Sequence, residues 1–152
     1  MQHKVIILDS NLLLLLVVGL TSRRYIATHR RLQGYEEVDF DLLKGLLDSV
    51  DRVIVTPNTL TETSNLAGQI GEPARRQIYQ QLRVIFRTFE ERYVESSRAA
   101  EQSEFLRLGL ADAAQLGVAS EAHTLLTADL NLYLAAAARG FKAVNFNHYR
   151  EM

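Results

Sequence analysis

A short apolar run that must be covered on both sides sets the architecture open to this chain. Val5-Ile6-Ile7-Leu8 has no polar interruption and is rich in β-branched residues. A half-exposed strand alternates apolar and polar positions, so a continuous run predicts a strand, about 4–9, buried on both faces. Further strand signals fall at 52–56, 123–127 and 143–146, with another short strand expected near 92–95. Helical patterns lie between them. Asp9, Ser10 or Asn11 can cap a first helix. Asp39 or Asp41 opens an amphipathic one carrying Leu42, Leu43, Leu46, Leu47 and Val50. A short helix is expected over about 60–67, followed by a break at Gly68 and Gly71. Pro73 suits the first turn of a longer helix whose apolar stripe is Ile78, Leu82, Ile85, Phe86, Phe89 and Tyr93. Helices over about 99–106, 111–121 and 131–139 complete the set, with Gly140 in a C-cap position. Residues 19–38 read as a loop or short helical excursion. Strands alternating with helices predict an α/β fold built on a parallel sheet with right-handed crossovers, in one domain spanning 1–152.

Leu12 to Leu20 reads LLLLLVVGL, far short of the ~20 apolar residues that span a bilayer. Asp9 and Asn11 interrupt its approach and no A-x-A cleavage pattern follows, so a buried helix is expected rather than a membrane or targeting segment. The absence of cysteine excludes disulfides, thiolate zinc sites and cysteine nucleophiles, and is compatible with a cytoplasmic home. A net charge of −1 argues against simple electrostatic nucleic-acid binding while leaving room for a local basic patch.

Four acidic residues stand where a strand ends or a helix begins: Asp9, Glu62, Asp112 and Asp129. Taken singly, Asp9 and Asp129 are ordinary N-caps, and Glu62 and Asp112 suit the positive end of a helix. Taken together they have a different meaning. Residues just beyond the carboxyl ends of parallel strands meet in one crevice. Carboxylates meeting there repel unless a cation neutralises them, and an all-oxygen site suits Mg²⁺ or Mn²⁺. Removing Asp9 or Asp112 should then leave metal-free stability unchanged or slightly raised.

The pieces Val-Ile-Ile-Leu-Asp9-Ser10-Asn11-Leu-Leu, Thr56-Pro57-Asn58-Thr-Leu-Thr-Glu62-Thr-Ser-Asn65-Leu, Leu108-Gly109-Leu110-Ala111-Asp112-Ala113 and Leu126-Thr127-Ala128-Asp129 occur in the order found in the PIN-domain nucleases. The chain resembles that family over essentially its whole length, including the closing Val144-Asn145-Phe146-Asn147. The resemblance implies a three-layer sandwich with about five parallel strands. It implies a metal-dependent endoribonuclease in which Asp9, Glu62, Asp112 and Asp129 are the catalytic, metal-holding residues, Glu62 often acting through water. It also implies RNA as substrate, Mg²⁺ or Mn²⁺ as cofactor, and a toxin role, with an antitoxin protein and a second copy of the chain as candidate partners. The 19–38 segment is longer and more basic than its counterpart in many small toxins of the family.

Ser10, Asn11, Asn65, Thr127 and Asn131 are candidates to support the acidic side chains by hydrogen bonding. Arg23, Arg24, Arg30 and Arg31 could meet the phosphate backbone, with Tyr25 or Tyr35 stacking on a base. Arg76, Arg83 and Arg87 read as a solvated helix face, and the four histidines lack metal-ligand spacing. Two alternatives remain open: a non-catalytic scaffold that binds RNA or protein, and a phosphatase-like hydrolase using Asp9 as nucleophile. The latter usually carries Asp-x-Asp, where this chain has Asp9-Ser10-Asn11.

Overall fold

The computed structural model describes residues 4–119 and 123–152. Five strands, β1 (Val5–Leu8), β2 (Arg52–Val55), β3 (Glu90–Glu91), β4 (His123–Thr127) and β5 (Lys142–Asn145), form one sheet in the order β3-β2-β1-β4-β5. Every pairing is parallel, with Ile7 opposite Ile54 on one side of β1 and opposite Leu125 on the other. Ten helices connect or follow the strands: α1 (Ser10–Thr21), α2 (Tyr25–Thr28), α3 (Glu37–Asp48), α4 (Pro57–Ala67), α5 (Ala74–Thr88), α6 (Ser96–Ala99), α7 (Phe105–Leu108), α8 (Leu110–Val118), α9 (Leu130–Ala138) and α10 (Phe146–Arg150).

Alternate residues of each strand point to opposite faces, and both faces are apolar. Leu8, Val55 and Leu126 pack with α1, α3 and α5 in the larger core. Val5, Ile7, Ile54 and Leu125 pack against Leu116 of α8 and Leu132, Ala135 and Ala136 of α9. Helices therefore cover both faces of the sheet, giving a three-layer α/β sandwich. This double covering is why the first strand carries no polar residue.

Helix α1 is apolar around its full circumference because it is enclosed: Leu12 to Val18 are all buried, with α3, α4 and α5 packed on it. At 12 residues it is a core helix, and among the described residues no helix is long and apolar enough to cross a membrane.

Several boundaries differ from those expected. Helix α3 begins at Glu37 because Asp39 Oδ2 accepts the Glu36 N–H at 2.8 Å, making Asp39 the third residue of a capping box rather than a cap. Helix α4 begins at Pro57, in the first helical position, with Thr56 Oγ1 accepting the Thr59 N–H at 3.1 Å. Helix α5 ends at Thr88, and the third strand pairs only Glu90 and Glu91 with β2 instead of occupying 92–95. Ile78, Leu82 and Ile85 of its stripe are buried, while Phe86 and Tyr93 are exposed. The expected helix at 99–106 is two single turns, α6 and α7. The expected 111–121 helix is observed as Leu110–Val118, closed by an extended Ala119, with residues 120 and 121 lying outside the described ones. Asn145 ends β5 and caps a terminal helix, α10, that the sequence pattern did not announce.

Gly19 shows how tightly α1 meets α3. A Cβ built there would lie 2.2 Å from Cδ2 of the buried Phe40 ring. Helix propensity alone favours alanine over glycine by about 1 kcal/mol, but overpacking a core costs about 1–3 kcal/mol and often more. Gly19→Ala is expected to be destabilising; chemical denaturation that finds it more stable would contradict this packing.

Candidate functional site

The sheet order locates a crevice before any side chain is considered. The chain builds outward from β1 through β2 to β3, then returns to place β4 on the other side of β1. In parallel α/β sheets such a reversal opens a cleft at the carboxyl ends of the two diverging strands, here β1 and β4. Asp9 directly follows β1, and Asp129 stands two residues beyond β4.

Asp9 is buried, at 5 % exposure, and each of its oxygens is engaged. Oδ1 accepts the Ser10 N–H at 2.8 Å, the capping contact, and also the Gln115 Nε2–H at 2.9 Å. Oδ2 accepts from Thr127 Oγ1 at 2.6 Å. A cap requires only the first of these. The same Thr127 hydroxyl accepts the Asp129 N–H at 2.9 Å, so one β4 side chain holds both acidic positions in register. Asp129 in turn caps α9, its Oδ1 accepting from Asn131 N at 2.8 Å and Leu132 N at 3.3 Å.

Glu62 is exposed on α4 and joined to this group through Ser10, whose Oγ donates to Glu62 Oε1 at 2.9 Å. It shares a cleft with Asn65, Leu110 and Ala111, which sets α4 beside the start of α8. Asp112 is in the first turn of α8. Burial, then the negative charges of Asp9, Asp129 and Glu62, push its carboxyl up to about 7. Asp112 therefore lies in the electrostatic field of the other three acidic residues. Among the described residues, however, no three side chains come close enough to hold one ion as placed.

The fit to a hard divalent cation can be judged from the donors themselves. All are oxygens, burial and neighbouring negative charges disfavour the ionised form of Asp112, and Gln115 Oε1 is buried with no partner among the described residues. In donor type and charge the residues fit Mg²⁺ or Mn²⁺. Glu62 is exposed and Asp112 half-buried, so both have torsional room that Asp9 lacks.

Of the supporting candidates, Ser10 and Thr127 bond to acidic side chains, while Asn131 contributes only its backbone N–H; Asn11 and Asn65 are exposed. Gln115 was missed by sequence reasoning. Its one signal is a polar residue three positions after Asp112 in the otherwise apolar face of Ala-Ala-Gln-Leu.

The basic segment is largely occupied by partners within the chain. Arg23 pairs with Asp41 and Glu37, which hold its guanidinium above the ordinary arginine range. Arg31 donates to Gln69 at 2.7 Å. The Tyr25 hydroxyl donates to Gln77. Arg150 lies 4.6 Å over the Tyr35 ring while bonding Asp39 Oδ1 at 3.0 Å and the Gly34 carbonyl. Burial raises the Tyr35 hydroxyl's pKa against the opposing pull of Arg150, with Asp39 and Asp9 adding to the rise. Arg24 and Arg30 are exposed, as are Arg76, Arg83 and Arg87. Buried His29 ties two backbone groups together: its Nδ1 accepts from Arg31 N at 3.2 Å and Nε2 faces the Ala67 carbonyl at 3.3 Å, and burial lowers its pKa.

No family model and no curated protein matches this chain. Among solved structures it is similar to a domain of a functionally unknown protein from Methanocaldococcus jannaschii DSM 2661. That likeness is at 19 % identity over 93 % of this chain and 89 % of the other, with a TM-score of 0.46. A likeness at that level has no bearing on the chemistry.

The geometry separates Asp9 from Asp112, for which sequence reasoning expected equal effects. Asp9→Ala would strand the donors of Gln115, Thr127 and Ser10, each loss of a buried partner costing about 1–3 kcal/mol. Asp112 is the opposite case. Its folded pKa lies above its unfolded value, so its contribution is fully present below pH ~3.8 and is lost as pH rises through about 7. Asp112→Asn should match the wild type near pH 4 and exceed it by about 1–2 kcal/mol at pH 8, after discounting for solvent screening. Thermal melts in EDTA across that range check both signs.

Proposed function

We propose that this chain is a metal-dependent endoribonuclease of the PIN type, hydrolysing RNA phosphodiester bonds at the carboxylates of Asp9, Glu62, Asp112 and Asp129. The observation that carries the reading is the state of Asp112. A carboxyl raised to about 7 by burial and by three other acidic side chains at a strand-order reversal supports a cation site, because a bound cation would relieve that repulsion. In this reading Asp9 and Asp112 bind Mg²⁺ or Mn²⁺ directly, and Asp129 and Glu62 complete the set. The bound ion supplies charge neutralisation, a lowered pKa for its water and polarisation of the phosphate.

The chain's own residues have separate tasks. Thr127 and Gln115 fix the rotamer of Asp9, so its oxygens are aimed before substrate arrives. Ser10 keeps Glu62 turned toward the cleft. Exposed Arg24 and Arg30 are the members of the basic segment left to meet phosphate, because Arg23 and Arg31 are engaged internally. The finer reading is a cytoplasmic toxin countered by an antitoxin protein; the lack of cysteine supports the compartment.

A second reading has its own observation. Asp9 and Asp129 both make real capping bonds, and no three acidic side chains among the described residues close on one point. That favours a scaffold which binds RNA or protein without cleaving it. Direct attack by Asp9 is disfavoured, since both its oxygens already accept hydrogen bonds inside the core.

Incubating the purified chain with end-labelled RNA separates the two readings. Cleavage should require Mn²⁺ or Mg²⁺, stop with EDTA, and fall about 100-fold or more in Asp112→Asn, the scale of losing one electrostatic contributor to the transition state. RNA binding without cleavage in either metal would select the scaffold.

A further inference from the structure

Gln115 is 1 % exposed and sits on the face of α8 turned toward Asp9. Its amide nitrogen donates to Asp9 Oδ1 at 2.9 Å, while its carbonyl oxygen is buried without a partner among the described residues. Turning the amide over would set that oxygen against a carboxylate oxygen, so electrostatics selects the observed orientation. Asp112 lies three residues earlier on the same helix, and one helix face thus delivers a carboxylate and an amide to one place. Buried acceptors without donors are rare in folded proteins, and are ordinarily met by water or a ligand. This amide is bonded to Asp9, which acts together with Asp129 and Glu62 on the charge of Asp112. A donor entering such surroundings is favoured if it carries positive charge or arrives as water held by a cation.

We propose that Gln115 is a positioning residue of the carboxylate site: its N–H fixes the Asp9 rotamer, and its free carbonyl oxygen accepts a hydrogen bond from water carried by a divalent cation bound there. The inference rests on the metal-site reading above and adds a neutral side chain to it. It differs from a structural role, in which Gln115 would serve only to satisfy the Asp9 cap.

The test is Mn²⁺ binding to the full chain, followed by the electron paramagnetic resonance of free aqueous Mn²⁺, beside thermal melts in EDTA. Gln115→Met keeps the length and removes donor and acceptor. It should weaken Mn²⁺ binding about tenfold or more, as loss of outer partners of metal ligands does. Its metal-free melting temperature should change little, the relief of the orphan oxygen offsetting the loss of one of the three donors to Asp9. Gln115→Glu loses the N–H to Asp9 but keeps an acceptor oxygen and adds a negative charge that a bound cation neutralises, so it should bind Mn²⁺ at least as well as wild type while melting lower in EDTA. A lowered metal-free melting temperature with unchanged Mn²⁺ affinity in Gln115→Met would overturn the proposal. If that variant does not fold, a tenfold loss of affinity in Gln115→Glu would overturn it instead. Asp112→Asn tells the two failures apart. Mn²⁺ bound by wild type, lost in Asp112→Asn and unaffected in Gln115→Met removes only the role of Gln115. No Mn²⁺ binding by wild type, or equal binding by Asp112→Asn, removes the metal site and the role of Gln115 with it.

Discussion

One buried carboxylate joins the layers of this molecule. Asp9 takes a backbone donor from the start of α1, an amide donor from α8 and a hydroxyl donor from β4. Helices α1 and α8 pack on opposite faces of the sheet, so the three bonds cross from one helical layer through the sheet to the other. A charge this deep is tolerated only when its lone pairs are filled, because desolvation otherwise drives it to take up a proton. The geometry at the ends of β1 and β4 follows from meeting that demand.

Around this fixed point the other acidic residues are held with decreasing firmness. Asp129 is locked by its own cap and by Thr127, Glu62 by a single hydroxyl, and Asp112 by no side-chain hydrogen bond among the described residues, its proton affinity set by burial and by its neighbours' charges. Stability and chemistry thus make opposite demands on residues of the same type. Asp9 holds the fold together as well as lining the cleft, whereas the ionised form of Asp112 works against the fold. A group that the folded chain holds at a loss is more informative about ligand binding than one that merely caps a helix.

Much of the fold was legible because it rests on local chemistry. The unbroken Val5–Leu8 run could be only a doubly covered strand, and Gly140, with φ of +79°, stands just after α9 where a C-cap glycine was expected. Errors arose where the deciding partner was not the one periodicity suggested. The start of α3 depends on Glu36 and Asp39 capping each other, whereas the chain read alone offered Asp39 or Asp41 as the opening residue. The third strand is two glutamates at an edge, whose pairing with β2 leaves no apolar signature. The short α10 brings Arg150 onto Tyr35 and Asp39, more than a hundred residues away.

The amino-acid order established the alternation of strands and helices and put Asp9 and Asp129 just past two strands and Asp112 in the first turn of α8, because both depend on spacing and burial along a local stretch; Glu62, expected at a helix start, stands instead in the middle of α4, which begins at Pro57. It could not say that Gln115 reaches Asp9 across 106 positions, that Thr127 reaches it across 118, or that half of the arginines singled out between 23 and 31 are already engaged. Those facts are angular and radial: they depend on which helix lies over which strand and which way each side chain turns. Packing chooses among such arrangements through contacts between distant segments, and contacts of that kind leave no periodic trace in a chain read from end to end.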